Sequence, residues 1–200
     1  FVRYNCETGR WEKLQSGPPP RYGHSMVWSG DRLVLYGGLN NDGFLGDLWT
    51  WAPGTGWVHQ GDYDLRFGHS AFWDVEGDRM LVVGGRPGGG DVSAWYDEVT
   101  GWRSDVIVED TILDSADGRA WFDPWSRSLL HLSGTSNDAL IVRFWDDYWE
   151  SLPFSGLQTD LLSGFAVYDQ FNRRGLLFGG LDPESGVVSS IIEMEQGCPD

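Results

Sequence analysis

One element recurs along this chain at a nearly fixed interval, and that interval limits the fold more than any other feature. A short apolar run ends in a glycine pair at Leu33-Val34-Leu35-Tyr36-Gly37-Gly38 and again at Met80-Leu81-Val82-Val83-Gly84-Gly85. It returns as Leu129-Leu130-His131-Leu132-Ser133-Gly134 and Gly175-Leu176-Leu177-Phe178-Gly179-Gly180. The last glycines of these runs stand 47, 49 and 46 residues apart. A tryptophan keeps the same beat at Trp11, Trp57, Trp102 and Trp149, with spacings of 46, 45 and 47. Two independent markers sharing one period identify an internal repeat.

Each unit contains further short runs. Ahead of the glycine pairs stand Ser25-Met26-Val27-Trp28, Ser70-Ala71-Phe72-Trp73, Ala120-Trp121-Phe122 and Phe165-Ala166-Val167-Tyr168. After them come Asp47-Leu48-Trp49-Thr50-Trp51, Val92-Ser93-Ala94-Trp95-Tyr96 and Leu140-Ile141-Val142-Arg143-Phe144. With the strand around each repeated tryptophan, a unit reads as four short strands, a to d in chain order. Turns such as Ser29-Gly30-Asp31-Arg32, Glu76-Gly77-Asp78-Arg79 and Phe171-Asn172-Arg173-Arg174 join a to b, and Gly and Asn are expected to supply their positive φ. No segment sustains a 3.6-residue period, so the chain is expected to be all-β. The 28 glycines and 12 tryptophans suit many short strands with aromatic packing. Four antiparallel strands at this period describe a blade of a β-propeller.

The units resemble the kelch repeat. The residues that carry the resemblance are Arg21-Tyr22-Gly23-His24-Ser25, Gly37-Gly38, Asp47-Leu48-Trp49 and Trp57, then Arg66-Phe67-Gly68-His69-Ser70, Gly84-Gly85, Trp95-Tyr96 and Trp102. The third unit departs, with Gly118-Arg119 at the Gly-His-Ser place and Ser133-Gly134 for the glycine pair; the fourth has Ser163-Gly164-Phe165. The resemblance implies a kelch-type β-propeller: a partial blade over 1–16 and repeats over about 17–61, 62–106, 107–152 and 153–200. That reading yields 17 strands, more than four blades hold and fewer than five. It makes the chain part of a larger six- or seven-bladed ring, with a four-bladed closure through the strand at Trp11 as the alternative. The start at Phe1-Val2-Arg3-Tyr4 reads as that of an excised or mature segment.

The repeated residues read as structural. Gly37, Gly38, Gly84, Gly85, Gly179 and Gly180 mark close approach of strands, and Trp57, Trp102 and Trp149 fill the wedge between blades. His24 and His69 hold identical places in two units, which points to a repeated hydrogen bond. Arg21 and Arg66 are expected to tie neighbouring blades together.

Function must then lie in what is not repeated. The formal charge of −16 argues against binding nucleic acid or docking on anionic lipid through a basic face. No apolar run is long enough for a membrane span. Cys6 and Cys198 make neither a zinc site nor a disulfide framework, Gly88-Gly89-Gly90 lacks the Lys-Ser/Thr of a phosphate loop, and no acidic stretch has EF-hand spacing, so no cofactor or metal is assigned. The b–c and d–a connections should emerge at one end of the blades. There the candidate binding residues are Asp62, Tyr63, Asp64 and Arg86, together with Asp105, Glu109, Asp110, Asp114 and Asp117 in the longest loop, Ser104 to Asp117. The expected activity is that of a non-catalytic scaffold presenting these loops to a protein partner, a basic one if the acidic end sets the preference. The first alternative is a glycan-binding propeller of a secreted or surface protein, with Tyr63, Trp125, Trp145 and Tyr148 as stacking candidates. The second is a fragment of a copper radical oxidase, whose propeller also resembles kelch units; such a site would need tyrosines, a cysteine and two of the histidines His24, His59, His69 and His131.

Overall fold

The computed structural model describes residues 2–14, 17–85, 93–104, 119–132, 139–145, 148–152, 165–169, 171–182 and 186–195; in several later strands the backbone alone is described. Among these residues the chain is all-β, and its sheets are antiparallel meanders. A two-stranded sheet of β1 (Val2–Asn5) and β2 (Arg10–Lys13) comes first. Sheet I follows, with β3 (Ser25–Trp28), β4 (Leu33–Asn40), β5 (Gly43–Ala52) and β6 (Gly56–Asp62) hydrogen-bonded in chain order. Sheet II repeats that order with β7 (Ser70–Asp74), β8 (Arg79–Val83), β9 (Ser93–Asp97) and β10 (Gly101–Arg103). Sheet III contains β11 (Arg119–Asp123), β12 (Ser128–Leu132), β13 (Ala139–Trp145) and β14 (Tyr148–Leu152). Sheet IV has three described strands, β15 (Phe165–Asp169), β16 (Arg174–Asp182) and β17 (Gly186–Glu195). No helix among the described residues is long and apolar enough to cross a membrane.

The second strand of a sheet is its most apolar, and packing on both faces explains why. Val34, Leu35 and Tyr36 of β4 are all buried, as are Met80, Leu81, Val82 and Val83 of β8. Alternate residues of β8 point to opposite faces. Met80 and Val82 join Val34, Tyr36, Leu48 and Tyr96 in one core between sheets I and II. On the side toward sheet III, Phe72 meets Phe122 with ring centroids 6.1 Å apart. A strand covered on both faces cannot alternate apolar and polar residues. The first strands stand side by side in series, β3 against β7, β7 against β11 and β11 against β15.

The glycine pairs interrupt β4 and β16 and directly follow β8. Register slips between Tyr36 and Gly38 in β4 and between Phe178 and Gly180 in β16, placing a β-bulge on Gly37 (φ 64°) and Gly179 (φ 57°). Gly84 and Gly85 follow β8 with φ of 69° and 98°.

The a–b turns depart from expectation. Gly30 has a positive φ of 113°, but in the next three turns the left-handed residue is Asp78 (φ 49°), Arg127 (φ 52°) and Arg173 (φ 54°) instead of Gly77 or Asn172. Each stands directly before the second strand, so turn geometry dictates the position whatever residue occupies it. The cost of roughly 1–2 kcal/mol is offset by the aspartate that ends the first strand. Asp123 Oδ1 accepts from Trp125 N (3.0 Å), and Asp169 Oδ1 accepts from Phe171 N (3.1 Å) and Asn172 N (3.2 Å).

Candidate functional site

The meander brings its connections to two opposite ends, each with its own chemistry. At the loop end, the segment leaving β6 folds back on the start of β5: Tyr63 N donates to Gly46 O (2.7 Å) and Arg66 N to Leu45 O (2.9 Å). Tyr63 stacks on Trp102 of sheet II with centroids 5.2 Å apart and an interplanar angle of 14°. Tyr36 Oη donates to the Asp64 carbonyl, and Trp102 Nε1 donates to Asp64 Oδ2 (3.1 Å). Burial, with the Asp64 and Asp47 charges beside it, raises the Tyr36 hydroxyl far above its ordinary value against the lowering effect of Arg66. Two of the candidate binding residues, Tyr63 and Asp64, are therefore engaged in the joint between sheets I and II. Asp62 is exposed, with His59 Nε2 3.2 Å from Oδ1. Arg86, Asp105, Glu109, Asp110, Asp114 and Asp117 lie outside the described residues.

The repeated polar residues build the same joint. Arg21 donates to Asp47 Oδ1 (2.5 Å) and Oδ2 (2.8 Å) and to Gly37 O (3.0 Å). These partners belong to sheet I, so Arg21 ties the segment before β3 to β4 and β5 instead of linking two sheets. Arg66 Nη1 likewise donates to Gly84 O (3.0 Å). The linking is done by backbone and histidine. Gly38 N donates to Arg66 O (2.7 Å), Gly68 N to Gly23 O (2.9 Å), and His69 Nε2 lies 2.8 Å from Ser25 Oγ on β3. His69 Nδ1 has no partner among the described residues, so the neutral ring carries its proton on Nε2 and donates it to Ser25. His24 packs beside Gly38, and its pKa is lowered by burial and by Arg21. Trp57 covers Gly17, and of Trp149 the backbone alone is described.

His69 makes the joint acid-sensitive. Burial, with Arg66 and His24 nearby, pushes its pKa down to about 3 from an ordinary 6.5. Between those values the unfolded chain binds the proton and the folded chain does not. Stability is therefore full above about pH 6.5 and falls as pH drops toward 3. In urea melts from pH 7 to pH 4, His69→Gln should flatten the slope by up to roughly 1.4 kcal/mol per pH unit. An unchanged slope would mean that the ring is protonated in the fold.

At the hairpin end lies a feature that the repeat reading missed. A half-open cleft of about 800 Å³ sits where the first strands of all four sheets meet, lined by β3, β7, β11, β15 and the turns that follow them. Its aromatic walls come from one phase of the repeat. Trp28 ends β3, Trp73, Phe122 and Tyr168 each stand one residue before the end of β7, β11 and β15, and all four line the cavity. Trp125, from the turn after β11, is 71% exposed, and Trp28 is 50% exposed. The sequence signal was the aromatic that closes each of the four first runs. Next to the cleft, a cavity of about 200 Å³ is lined by Asp31, Arg32, Asp78 and Glu98 and shares Ser29, Gly30 and Trp73 with it. Arg32 bridges Asp31 (2.7 Å) and Glu98 of the next sheet. Hydrogen bonds from Arg32 and Ser29 hold the Asp31 carboxyl well below the usual range.

No family model matches the chain. Over an alignment of 76 positions that covers 34% of this chain, it is 30% identical to a protein of Dictyostelium discoideum described as a probable serine/threonine-protein kinase. The chain covers 6% of that relative's length.

Proposed function

We propose that this chain is a segment of a kelch-type β-propeller and acts as a non-catalytic binding module for a basic protein, met by the acidic loops at the b–c and d–a end. The observation that carries this reading is how the repeated side chains are used. Arg21, Arg66, His69, Tyr36 and Trp102 are all engaged in holding strands and sheets together, which leaves recognition to residues that break the repeat. The side-by-side series β3, β7, β11, β15 supports a radial arrangement of blades. His24, His59 and His69 each sit on a different neighbour, Gly38, Trp49 and Ser25, which favours binding over an oxidase centre. The exposed Trp125 favours a second reading, glycan stacking; Tyr63 is stacked on Trp102 instead, and the side chains of Trp145 and Tyr148 lie outside the description.

Hexa-lysine peptide is a suitable probe of the acidic loop. Replacing Asp110, Asp114 and Asp117 with Asn should slow its association and flatten the salt dependence, with unchanged melting temperature. Asn at Asp31 and Asp78 of the hairpin turns should have the smaller effect. Loss of binding in the hairpin pair alone would place the protein-binding surface at the other end and sink the reading.

A further inference from the structure

We infer that the aromatic cleft at the hairpin end is a second binding site, separate from the acidic loops, and that it takes arginine side chains from a segment of a protein partner. The walls supply three indole side chains, Trp28, Trp73 and Trp125, together with Tyr168 of β15. Rings presented this way attract cations through their quadrupoles, and Trp does so best. Exposed Glu76 lines the same cleft, and Val75 beside it adds apolar surface.

Charge decides the sign of the occupant. Around the cleft and its neighbouring cavity stand Asp31, Asp74, Glu76, Asp78 and Glu98, five carboxylates, against three cations, Arg32, Arg79 and Arg127. Each of those arginines already meets a carboxylate. Arg127 is 2.7 Å from Asp74 and 3.7 Å from Glu76, Arg79 is 3.3 Å from Asp74, and Arg32 holds Asp31 and Glu98. The excess is negative, in a chain whose net charge is −16.

The poverty of polar groups decides the kind of cation. A lysine ammonium is a strongly hydrated point charge and enters an apolar wall reluctantly. A guanidinium is weakly hydrated and planar, stacks on indole rings and can meet a carboxylate through two N–H groups at once. A sugar of comparable size would need many more hydrogen-bonding partners than the single exposed carboxylate of the main cleft.

Hexa-arginine and hexa-lysine peptides carry equal charge and separate this site from the field of the loops. By fluorescence titration at physiological salt, hexa-arginine should bind about five- to tenfold tighter than hexa-lysine. Trp28→Leu with Trp125→Leu should erase that preference, and Glu76→Gln, at a 74% exposed side chain, should reduce it severalfold without disturbing the fold. The Asp110, Asp114 and Asp117 triple variant should weaken both peptides and leave their ratio intact. Failure of the loop proposal would instead show as a triple variant without effect. Equal affinity for the two peptides, a preference surviving in both the tryptophan pair and Glu76→Gln, or binding of cello-oligosaccharides that is lost with the tryptophans would overturn the assignment.

Discussion

Replacing Arg21 with alanine should lower the unfolding free energy by about 3 kcal/mol. The side chain is 3% exposed and its partner Asp47 14%, so neither charge is well solvated once the other is removed. Asp47 would keep the Trp49 indole N–H, at 2.6 Å on Oδ2, and a backbone N–H, but no cation, and the Gly37 carbonyl would lose the Arg21 donor. Burial raises the Asp47 carboxyl, but hydrogen bonds from Arg21 and Trp49 outweigh it, so the group lies below its ordinary value of 3.8. A depressed carboxyl contributes stability that is present above pH 4 or so and lost as pH falls through the folded value. Arg21→Ala should therefore also remove part of the acid dependence below about pH 4. Urea melts at neutral and acid pH read both effects. Arg21→Met with Asp47→Leu, which removes both charges and restores volume, should recover most of the loss. A single variant as stable as the parent would mean that water already reaches Asp47.

How far the sequence foretold this arrangement follows from what kind of information each part needs. Strand positions were legible because Ser25-Met26-Val27-Trp28 and its copies are short apolar runs bounded by turns, and they coincide with β3, β7, β11 and β15 almost residue for residue. The partner of Arg21 was not legible. Asp47 lies 26 residues away, and nothing in a linear pattern separates a bond within one sheet from a bond between two. Tyr63 and Asp64 looked like loop residues because they follow a tryptophan strand and break the repeat. Their engagement with Trp102 and Tyr36 depends on how sheet I meets sheet II. The cleft escaped for a related reason. An aromatic at the end of a first strand reads as core, and its exposure depends on how closely neighbouring first strands approach. Trp121 in the middle of β11 is 2% exposed, while Trp28 at the end of β3 is half open.

Gly37→Val should be the most damaging glycine substitution in the described chain, costing roughly 3–5 kcal/mol and lowering the melting temperature by about 10 °C. Two penalties combine there. The residue sits at φ 64°, inside a bulge, where a β-branched side chain is strained by about 1–2 kcal/mol. A Cβ would also overlap the carbonyl oxygen of Arg66, and the Cε1 of His69 would be 3.1 Å from it. That carbonyl accepts from Gly38 N at 2.7 Å, one of the bonds that join sheet II to sheet I. Pushing it away loosens the joint that His69 and Ser25 also hold. Gly101 supplies the internal control, because its φ of 78° is near that of Gly37 and no heavy atom lies within 4 Å of a Cβ built there. Gly101→Val should therefore show a similar backbone cost alone, and the difference between the two variants measures the close approach of the sheets. Thermal melts of both variants, with near-ultraviolet circular dichroism of the Trp102–Tyr63 stack as a second probe, make the comparison. If Gly37→Val melts no lower than Gly101→Val, the glycine is needed only for its backbone conformation and the packed joint between sheets I and II is not what holds it in place.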